Sequence, residues 1–154
     1  MFSFNVRVYG LLILENKLLI ADEIIKGKPY TKLPGGGLEW GEGTRDCLQR
    51  EFMEELNLQV TVGKHVYTTD FFQQSAWDSQ HQVISIYYTV QAQQLPDALY
   101  AANSDNTYRI SSADGNAETF RFVPINEHLV QLLTLPIDKV VAGILLQDRK
   151  TFGK

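Results

Sequence analysis

Three glutamates, Glu51, Glu54 and Glu55, have the types and spacing that could support chemistry in this sequence. At about 100° per residue they fit within an arc of about 100° on a helix. The three residues fall near the C-terminal end of a predicted helix. A carboxylate at that end lowers the stability of the helix by about 0.3 to 1 kcal/mol, because the end is partly negative. Hard divalent ions such as Mg²⁺ or Mn²⁺ prefer such oxygens. A carboxylate patch assembled against local helix stability therefore indicates a cation site.

The ordinary alternative is a solvated acidic helix face. Two features argue against it. Arg50 is predicted to lie on the opposite side of the helix from Glu55, where it is poorly placed to neutralise the patch. The glutamates also border an apolar stripe that contains Leu48 and Phe52, so their bases should lie close to the protein body. A cation-binding site is the favoured interpretation.

The stretch "LPGGGLEWGEG", residues 33 to 43, directly precedes this helix and contains five glycines. Glycine allows close approach of the backbone, and successive amides can cradle an anion. We therefore expect a flexible loop whose carbonyls and amides approach both a metal ion and a phosphate.

The elements that must position these residues follow from hydrophobic periodicity. Residues 44 to 56 predict the helix, with Thr44 as its cap. Gly27 and Pro29 should end an N-terminal hairpin that turns at Asn16. Residues 94 to 117 should form a long connection with at most a short irregular strand. Further strands are predicted at 4–14, 18–23, 58–71, 82–92 and 119–125. Further helices are predicted after Pro136 and between a cap at Asn126 and about Leu133, with Glu127 in the first turn.

Composition limits the classes of function. The chain has 154 residues, 44% of them hydrophobic and 21% charged, which predicts one soluble domain over residues 1–154. The net charge of -4, without a dense Lys/Arg run, disfavours nucleic-acid binding. The apolar N-terminus is interrupted too early to span a membrane and lacks a signal-peptide pattern, so a cytoplasmic location is the default expectation. Cys47 is the only cysteine and is expected to pack in the core rather than react.

The spacing of these residues resembles the Nudix box. Gly36 is followed after five residues by Glu42, and after seven more by the run Arg50 to Glu55, with Leu58 closing the pattern. The resemblance extends to the preceding hairpin and to "ETFRFVPINEHL". It implies an α/β (α+β) fold, a Nudix-like α/β/α sandwich with a mixed sheet. It also implies a pyrophosphohydrolase that cleaves a nucleoside diphosphate linked to another group X.

The resemblance also implies roles for individual residues. Glu51, Glu54 and Glu55 would ligate the divalent cation, Mg²⁺ or alternatively Mn²⁺, with the carbonyl of Gly36 as a further ligand. Structural support would come from Arg50 and Glu42, which hold the loop against the helix. Glu39 is a candidate for the metal site or its support.

Two positions depart from the family pattern. Asn57 stands where the box has its last glycine, and Asn tolerates the left-handed conformation that ends the helix there. We therefore expect the turn to be kept. Thr31 replaces an aromatic residue found in many relatives, which bears on local packing or on a base pocket.

The general base is not fixed by the pattern. Glu54 or Glu55 could serve, although a carboxylate that ligates metal is a weaker base. Glu118, just before "FRFVP", occupies a place where some relatives carry a catalytic glutamate, and an ordinary loop carboxylate is an equal alternative. Aromatic side chains are available to stack on a base, although most should be core: Tyr9, Trp40, Phe71, Phe72, Trp77 and Tyr88.

Other catalytic patterns are absent from the sequence. His65, His81 and His128 lack metal-ligand spacing, and no GxxxxGK[ST], HExxH or GxSxG motif occurs. The alternatives to hydrolysis are a Nudix-like nucleotide-binding or regulatory domain and an acidic cation-binding protein. Nucleoside triphosphates, ADP-ribose, nucleotide sugars and dinucleoside polyphosphates are candidate substrates. ADP-ribose is disfavoured, because many similar ADP-ribose pyrophosphatases carry a proline at a fixed distance after the box and no proline lies between Pro34 and Pro96 here. Many relatives form homodimers, so a homodimer is a candidate assembly.

Overall fold

The computed structural model describes residues 1–100, 108–111 and 117–152. The chain forms two compact units. Unit 1 comprises Met1–Leu11 and Gly35–Gln93, and unit 2 comprises Leu12–Pro34 and Gln94–Lys154. The first strand, β1 (Ser3–Leu14), begins in unit 1 and ends in unit 2.

Unit 1 contains the glycine-rich segment and the acidic helix. Its helix is α1 (Thr44–Leu56), and its other strands are β4 (Gly35–Gly37), β5 (Val60–Thr68) and β6 (His81–Ala92). Strand β5 pairs with β6, β6 neighbours β1, and β1 pairs antiparallel with β4. The β1–β4 register places Val8 opposite Gly36, so three glycines that precede the helix are held in a strand.

Unit 2 is built around antiparallel strands. Asp22 lies opposite both Thr31 and Thr119, because β2 pairs with a strand on each side. The elements of the unit are β2 (Lys17–Ile25), β3 (Lys28–Lys32), α2 (Asp97–Tyr100), β7 (Tyr108–Ser111), β8 (Ala117–Pro124), α3 (His128–Leu132) and α4 (Pro136–Phe152).

Helix α1 forms as the apolar stripe predicts. Leu48, Phe52 and Leu56 are fully buried or nearly so, and burying such a side chain stabilises the fold by about 1.5–3 kcal/mol. Gly10 in β1 makes this packing close, because a Cβ added there would lie 2.7 Å from the Phe52 ring. The buried stripe orients the helix and leaves the neighbouring glutamates at the edge of the unit 1 core.

The two ends of α1 differ in how well they were predicted. Thr44 is not the cap: Gly43 occupies that position, and its N–H donates to Asp46 Oδ2 at 3.2 Å. The Thr44 hydroxyl instead lies 2.7 Å from the hydroxyl of Tyr88. At the C-terminal end, Asn57 has φ 49° and ψ 41°, which confirms the predicted left-handed turn.

The N-terminal hairpin does not end at Gly27 and Pro29 as predicted. Lys26 and Gly27 have φ of 50° and 78°, which is the geometry of a two-residue hairpin turn, and β3 follows with Pro29 inside it. The chain therefore continues into a third strand. The predicted turn at Asn16 is confirmed, since Glu15 and Asn16 also have positive φ.

The C-terminal elements agree partly with prediction. The predicted cap of α3 is wrong by one residue, since Glu127 and not Asn126 precedes the helix, although Asn126 Oδ1 accepts a hydrogen bond from His128 N at 3.0 Å. Helix α4 begins at Pro136, as expected. In the long connection, β7 agrees with the expected short strand, α2 was not predicted, and residues 101–107 and 112–116 lie outside the described part.

The described residues combine eight strands with four helices, which confirms the predicted α+β class. No helix in the described part of the chain is long and apolar enough to cross a membrane.

Candidate active site

Arg50 is the centre of a charged cluster in unit 1. Its Nε and Nη2 donate to the two carboxylate oxygens of Glu42 at 3.0 and 2.7 Å. Its Nη1 donates to Glu51 Oε1 and Glu54 Oε2, each at 3.1 Å. Its Nη2 also donates to the carbonyl of Gly37 at 3.1 Å. One guanidinium thus links the glycine segment, the following loop and α1.

The prediction that Arg50 is poorly placed to neutralise the acidic patch is wrong. The prediction compared Arg50 with Glu55 alone, whereas Glu54 is its i+4 neighbour on the same helix face. The arginine side chain is also long enough to reach Glu51, the next residue in the chain. The cluster therefore contains a built-in cation.

Glu42 is the strongest partner of Arg50. The hydrogen bond from Arg50, followed by that from the Glu39 backbone, lowers the pKa of Glu42 to about 2. The same contact, with the carboxylates of Glu51 and Glu54, raises the pKa of Arg50. Glu42 and Arg50 are therefore a permanently ionised pair that fastens the loop to the helix.

Glu39 lies at the edge of the same cluster. Its Oε2 is 3.7 Å from Arg50 Nε, and its backbone N–H donates to Glu42 Oε1 at 2.9 Å. Its side chain is 69% exposed, so its carboxylate can move. The structure thus places Glu39 beside the supporting pair.

The three helix glutamates differ in exposure. The Glu51 side chain is 12% exposed and that of Glu54 is 58% exposed, while Glu55 is half-buried. Burial is the main cause that raises the pKa of Glu51; Arg50 opposes the shift and the charge of Glu54 adds to it. Ionised Glu51 is therefore held at a cost that a nearby cation would offset.

Gly36 lies against the carboxylate of Glu51. A Cβ added at Gly36 would overlap the carboxylate carbon and both oxygens of that residue. Gly35 has φ 148°, and a Cβ there would overlap the Val8 carbonyl oxygen. The glycines are thus required for close approach between β1, β4 and α1. The expected flexible loop is wrong at these positions, which form a strand.

A second arginine, Arg7 in β1, belongs to the same region of unit 1. Its Nε donates to the Tyr9 hydroxyl, and its guanidinium carbon lies 5.6 Å from the Tyr9 ring centroid and 5.9 Å from that of Trp77. Burial lowers its pKa, but Tyr9 and the charges of Glu51 and Glu55 outweigh burial and raise it overall. Sequence analysis missed Arg7; a cation in an otherwise apolar strand was the available signal.

Glu118 lies in unit 2, in β8. It is half-buried and directly opposite Glu23 of β2. Its role as a general base stays a prediction. Thr31, the second departure from the family pattern, donates from its hydroxyl to Asp22 Oδ1 at 2.7 Å, so it takes part in a polar contact within its sheet.

The aromatic candidates divide into core and surface. Tyr9 is 2% exposed and stacks on Tyr87 at 5.4 Å between ring centroids. Trp40 and Phe72 are 104% and 70% exposed. Phe71 is also exposed, whereas Trp77 and Tyr88 are intermediate, and Tyr88 lies beneath the Arg45 guanidinium at 4.8 Å. Trp40 also lines an open cleft of about 440 Å³, which makes it the aromatic side chain of the box region most accessible to a ligand.

The histidines and the cysteine show no sign of chemistry. His65 lies 2.7 Å from Thr68 Oγ1, His81 lies 3.6 Å from Asp78, and His128 is exposed. Cys47 is buried, and burial, together with Glu42, raises its pKa to about 12. The thiol therefore stays protonated, as expected for a residue that packs.

The donor set fits a hard divalent cation in chemistry, with three carboxylates and a glycine carbonyl in one small region. In the described part of the chain, however, no three His, Cys, Asp or Glu side chains are arranged to hold a metal ion. Arg50 contacts Glu51 and Glu54 at 3.1 Å and is the cation that these carboxylates share. Metal binding would therefore require the exposed Glu54 to turn away from Arg50.

This fold and site define a class: an α+β protein with a glycine strand beside an acidic helix. The NUDIX domain family model matches residues 4–144. The chain therefore belongs to the Nudix family and is a Nudix pyrophosphohydrolase. Enzymes of this family act on small nucleotides and in general use divalent metal ions.

Solved structures support the fold. A NUDIX hydrolase from Nitrosomonas europaea is 17% identical, with a TM-score of 0.69 over 95% of this chain and 90% of the other. A MutT protein from Methanosarcina mazei is 16% identical, with a TM-score of 0.66 over 97% of each chain. The MutT protein of methicillin-resistant Staphylococcus aureus is 23% identical, with a TM-score of 0.62 over 96% and 99%. No curated protein matches the chain.

Proposed function

We propose that this Nudix enzyme requires Mg²⁺, with Mn²⁺ as a substitute, and cleaves the pyrophosphate bond of a nucleoside diphosphate derivative. The observation that carries the proposal is the half-buried carboxylate of Glu51, which lies against the backbone of Gly36. This contact joins the two segments of the Nudix box. It brings the Glu51 carboxylate against a backbone segment whose carbonyl could serve as a further ligand, and Mg²⁺ accepts both ligand types.

In this proposal Glu51, Glu54, Glu55 and the carbonyl of Gly36 hold the divalent cation. The cation supplies Lewis-acid neutralisation of the phosphate oxygens and activation of the attacking water. Glu51 is already placed, because Gly36 and Arg50 fix its carboxylate. Glu54 is exposed and is the ligand that must change its contact.

Arg50 and Glu42 support the site rather than react. Their two-point contact is geometrically specific, since a guanidinium fork matches a carboxylate. It also leaves Arg50 Nη1 directed at Glu51 and Glu54. If Glu54 were to ligate the cation, Arg50 would still contact Glu42 and Glu51, so these contacts would hold the loop in place.

The general base is assigned to Glu54, Glu55 or Glu118, and a set of Gln variants separates them. A base contributes about 10²–10⁴-fold to the rate. A variant that lacks only the base should bind Mn²⁺ normally but turn over slowly, whereas a variant that lacks a ligand should lose both properties. A near-normal rate for Glu118→Gln would remove Glu118 as the base.

The substrate is the least determined part of the proposal. Similar structures include MutT proteins and a UDP-X diphosphatase, the latter 16% identical with a TM-score of 0.60 over 99% of this chain and 66% of the other. At such identities only the fold is shared. Nucleoside triphosphates and nucleotide sugars are favoured over ADP-ribose, because the proline that follows the box in many ADP-ribose pyrophosphatases has no counterpart between Pro34 and Pro96.

The test is a turnover panel of nucleoside triphosphates, nucleotide sugars, ADP-ribose and dinucleoside polyphosphates with Mg²⁺, Mn²⁺ or EDTA. We expect metal-dependent release of phosphate-containing products that Glu55→Gln abolishes. Glu127→Gln, at an exposed position before α3, is the charge-matched control. Binding of a nucleotide without product release by the unmodified protein would instead support the binding or regulatory alternative.

The candidate homodimer is tested in the same preparation. Light scattering during gel filtration gives the mass in solution, which is 17.5 kDa for one chain. A mass near that value would exclude the dimer at the concentration used.

A further inference from the structure

We infer that Arg7 binds the pyrophosphate group of the substrate, with Trp77 and Tyr9 forming the aromatic wall that holds its guanidinium. This inference rests on the proposed function of the carboxylate site. It concerns a residue outside the Nudix box, in strand β1, and a subsite for a diphosphate rather than for the metal.

The position of Arg7 is set by strand pairing within unit 1. Arg7 lies opposite Gly37 in the antiparallel pair of β1 and β4. A Cβ on Gly37 would lie 3.8 Å from Arg7 Nη1, so the guanidinium extends over a residue that has no side chain. Gly36, the next residue, lies against Glu51. Successive strand residues face opposite sides, so Arg7 lies across the edge of β4 from Glu51, one residue along the strand from the contact between Gly36 and Glu51.

The guanidinium of Arg7 has N–H groups available to a ligand. Its Nε donates to the Tyr9 hydroxyl, and neither terminal nitrogen makes a hydrogen bond to any residue that the structure describes. Arg50 differs, because its three nitrogens all donate. Since a guanidinium matches phosphate oxygens with two parallel N–H groups, the open end of Arg7 is suited to a phosphate.

The aromatic contacts fix the direction of this open end. Tyr9 is buried and stacked on Tyr87, so it is a rigid support. Trp77 lies within cation–π distance on the guanidinium. A side chain held in this way loses little conformational freedom when a ligand binds, which favours affinity.

Binding of a cation would neutralise the negative charge near Arg7. Glu51 and Glu55 are the carboxylates whose charges act on Arg7. A divalent cation held by these residues would offset their charge, and the positive charge of Arg7 would then be available to an anion. An anionic diphosphate that bridges the cation and Arg7 would complete the balance of charge.

The competing role for Arg7 is a fixed counter-charge for Glu51 and Glu55. The two roles predict different measurements. A counter-charge competes with the metal ion, so its removal should strengthen Mn²⁺ binding and leave pyrophosphate affinity at saturating metal unchanged. A phosphate ligand predicts weaker pyrophosphate binding at every metal concentration.

The experiment is calorimetric titration of the full chain with inorganic pyrophosphate, in saturating Mg²⁺ and in EDTA, with Mn²⁺ affinity measured by electron paramagnetic resonance. A hydrogen-bonded charge contact corresponds to about 10- to 100-fold in affinity. We expect that loss for Arg7→Gln and a smaller loss for Arg7→Lys, which keeps the charge but not the fork. Steady-state kinetics should show KM raised more than kcat is lowered.

Arg45→Gln is the matched control, because Arg45 also stacks on a tyrosine but donates to the Val62 and Gly63 carbonyls. Unchanged pyrophosphate affinity in Arg7→Gln, or no pyrophosphate binding by the unmodified protein, would overturn the inference. Thermal melting verifies that each variant is folded, and Arg7→Lys provides the test if Arg7→Gln is not. Absence of hydrolysis with Arg7-dependent pyrophosphate binding would count against the proposed function alone.

Discussion

Arg50 and Arg121 have similar exposure but very different surroundings. Their side chains are 23% and 27% exposed. In unit 2, Arg121 pairs with one carboxylate, Asp22, at 2.7 Å. In unit 1, Arg50 lies within 4 Å of four carboxylates, those of Glu39, Glu42, Glu51 and Glu54. Arg121 therefore has one carboxylate partner, whereas Arg50 has more carboxylates around it than its single charge can neutralise.

This difference separates a structural pair from a site. A one-to-one pair satisfies both charges, so nothing further is needed for its stability. In the Arg50 cluster, burial raises the pKa of Glu51, and the charge of Glu54 adds to the shift while Arg50 opposes it. Surplus negative charge that the fold keeps near a glycine strand is evidence for a ligand of positive charge.

The largest expected difference between the two regions comes from neutralising one carboxylate in each of them. Loss of a residue that supports a metal ligand costs about 10- to 100-fold in activity. Glu51→Gln, which removes a proposed ligand, should therefore lower kcat/KM by at least about 100-fold. Its melting temperature should change little, because burial already disfavours the charge at this position.

Asp22→Asn should give the reverse result. It weakens the contacts with Arg121 and Thr31, and the expected cost is about 1 kcal/mol of stability after allowance for solvent screening. Steady-state rates and thermal denaturation of both variants provide the measurements. Loss of activity in Asp22→Asn together with full activity in Glu51→Gln would refute the distinction between the two regions.

Two glycines allow the same comparison by size instead of charge. Gly36→Ala places a methyl group against the Glu51 carboxylate, whereas Gly143 in α4 has no atom within 4 Å of an added Cβ. We expect Gly36→Ala to cost about 1–3 kcal/mol, as other overpacked sites do, and to lower Mn²⁺ affinity. Gly143→Ala should be neutral or stabilising by up to about 1 kcal/mol. Urea denaturation and Mn²⁺ titration would show whether close approach at Gly36 matters.

The sequence was most informative where a pattern is local. The stripe of Leu48, Phe52 and Leu56 predicted the bounds of α1 correctly, because helical periodicity is written in neighbouring residues. The left-handed turn at Asn57 was predicted for the same reason. The Nudix box then supplied the candidate residues, and the family is confirmed by the match over residues 4–144.

The sequence was least informative where two distant segments meet. No spacing shows that Gly35 to Gly37 pair with β1, so the strand was taken for a flexible loop. Arg7 was not predicted for the same reason, since only the strand pairing places it opposite Gly37. The partners of Arg50 were misjudged because side-chain length decides them as much as helical angle does. The role of Glu118 stays a prediction.

Replacing Arg50 or Arg121 by lysine tests the same difference between the two regions, with a smaller expected effect on activity. Lysine keeps the charge but cannot make two parallel hydrogen bonds to one carboxylate. Arg50→Lys should lose the two-point contact with Glu42 and lower kcat/KM by about 10-fold, the lower end expected for a supporting residue. Arg121→Lys should keep one contact with Asp22 and full activity. Equal rates for the two variants would show that the geometry of Arg50 is unimportant.

The pH dependence of stability gives the smallest effect and concerns Glu42 alone. The pKa of this carboxyl is about 2, lowered from 4.5 mainly by the hydrogen bond from Arg50. A lowered pKa in the folded state means that the stabilisation is complete above the unfolded value and is lost as pH falls toward the folded value. The difference in melting temperature between the unmodified protein and Glu42→Gln should therefore be constant above about pH 5.5 and shrink between pH 4.5 and 2. Arg50→Gln should remove this dependence, because it removes the donor that lowers the pKa. A difference that does not vary with pH would mean that Glu42 is not the carboxylate that Arg50 holds ionised.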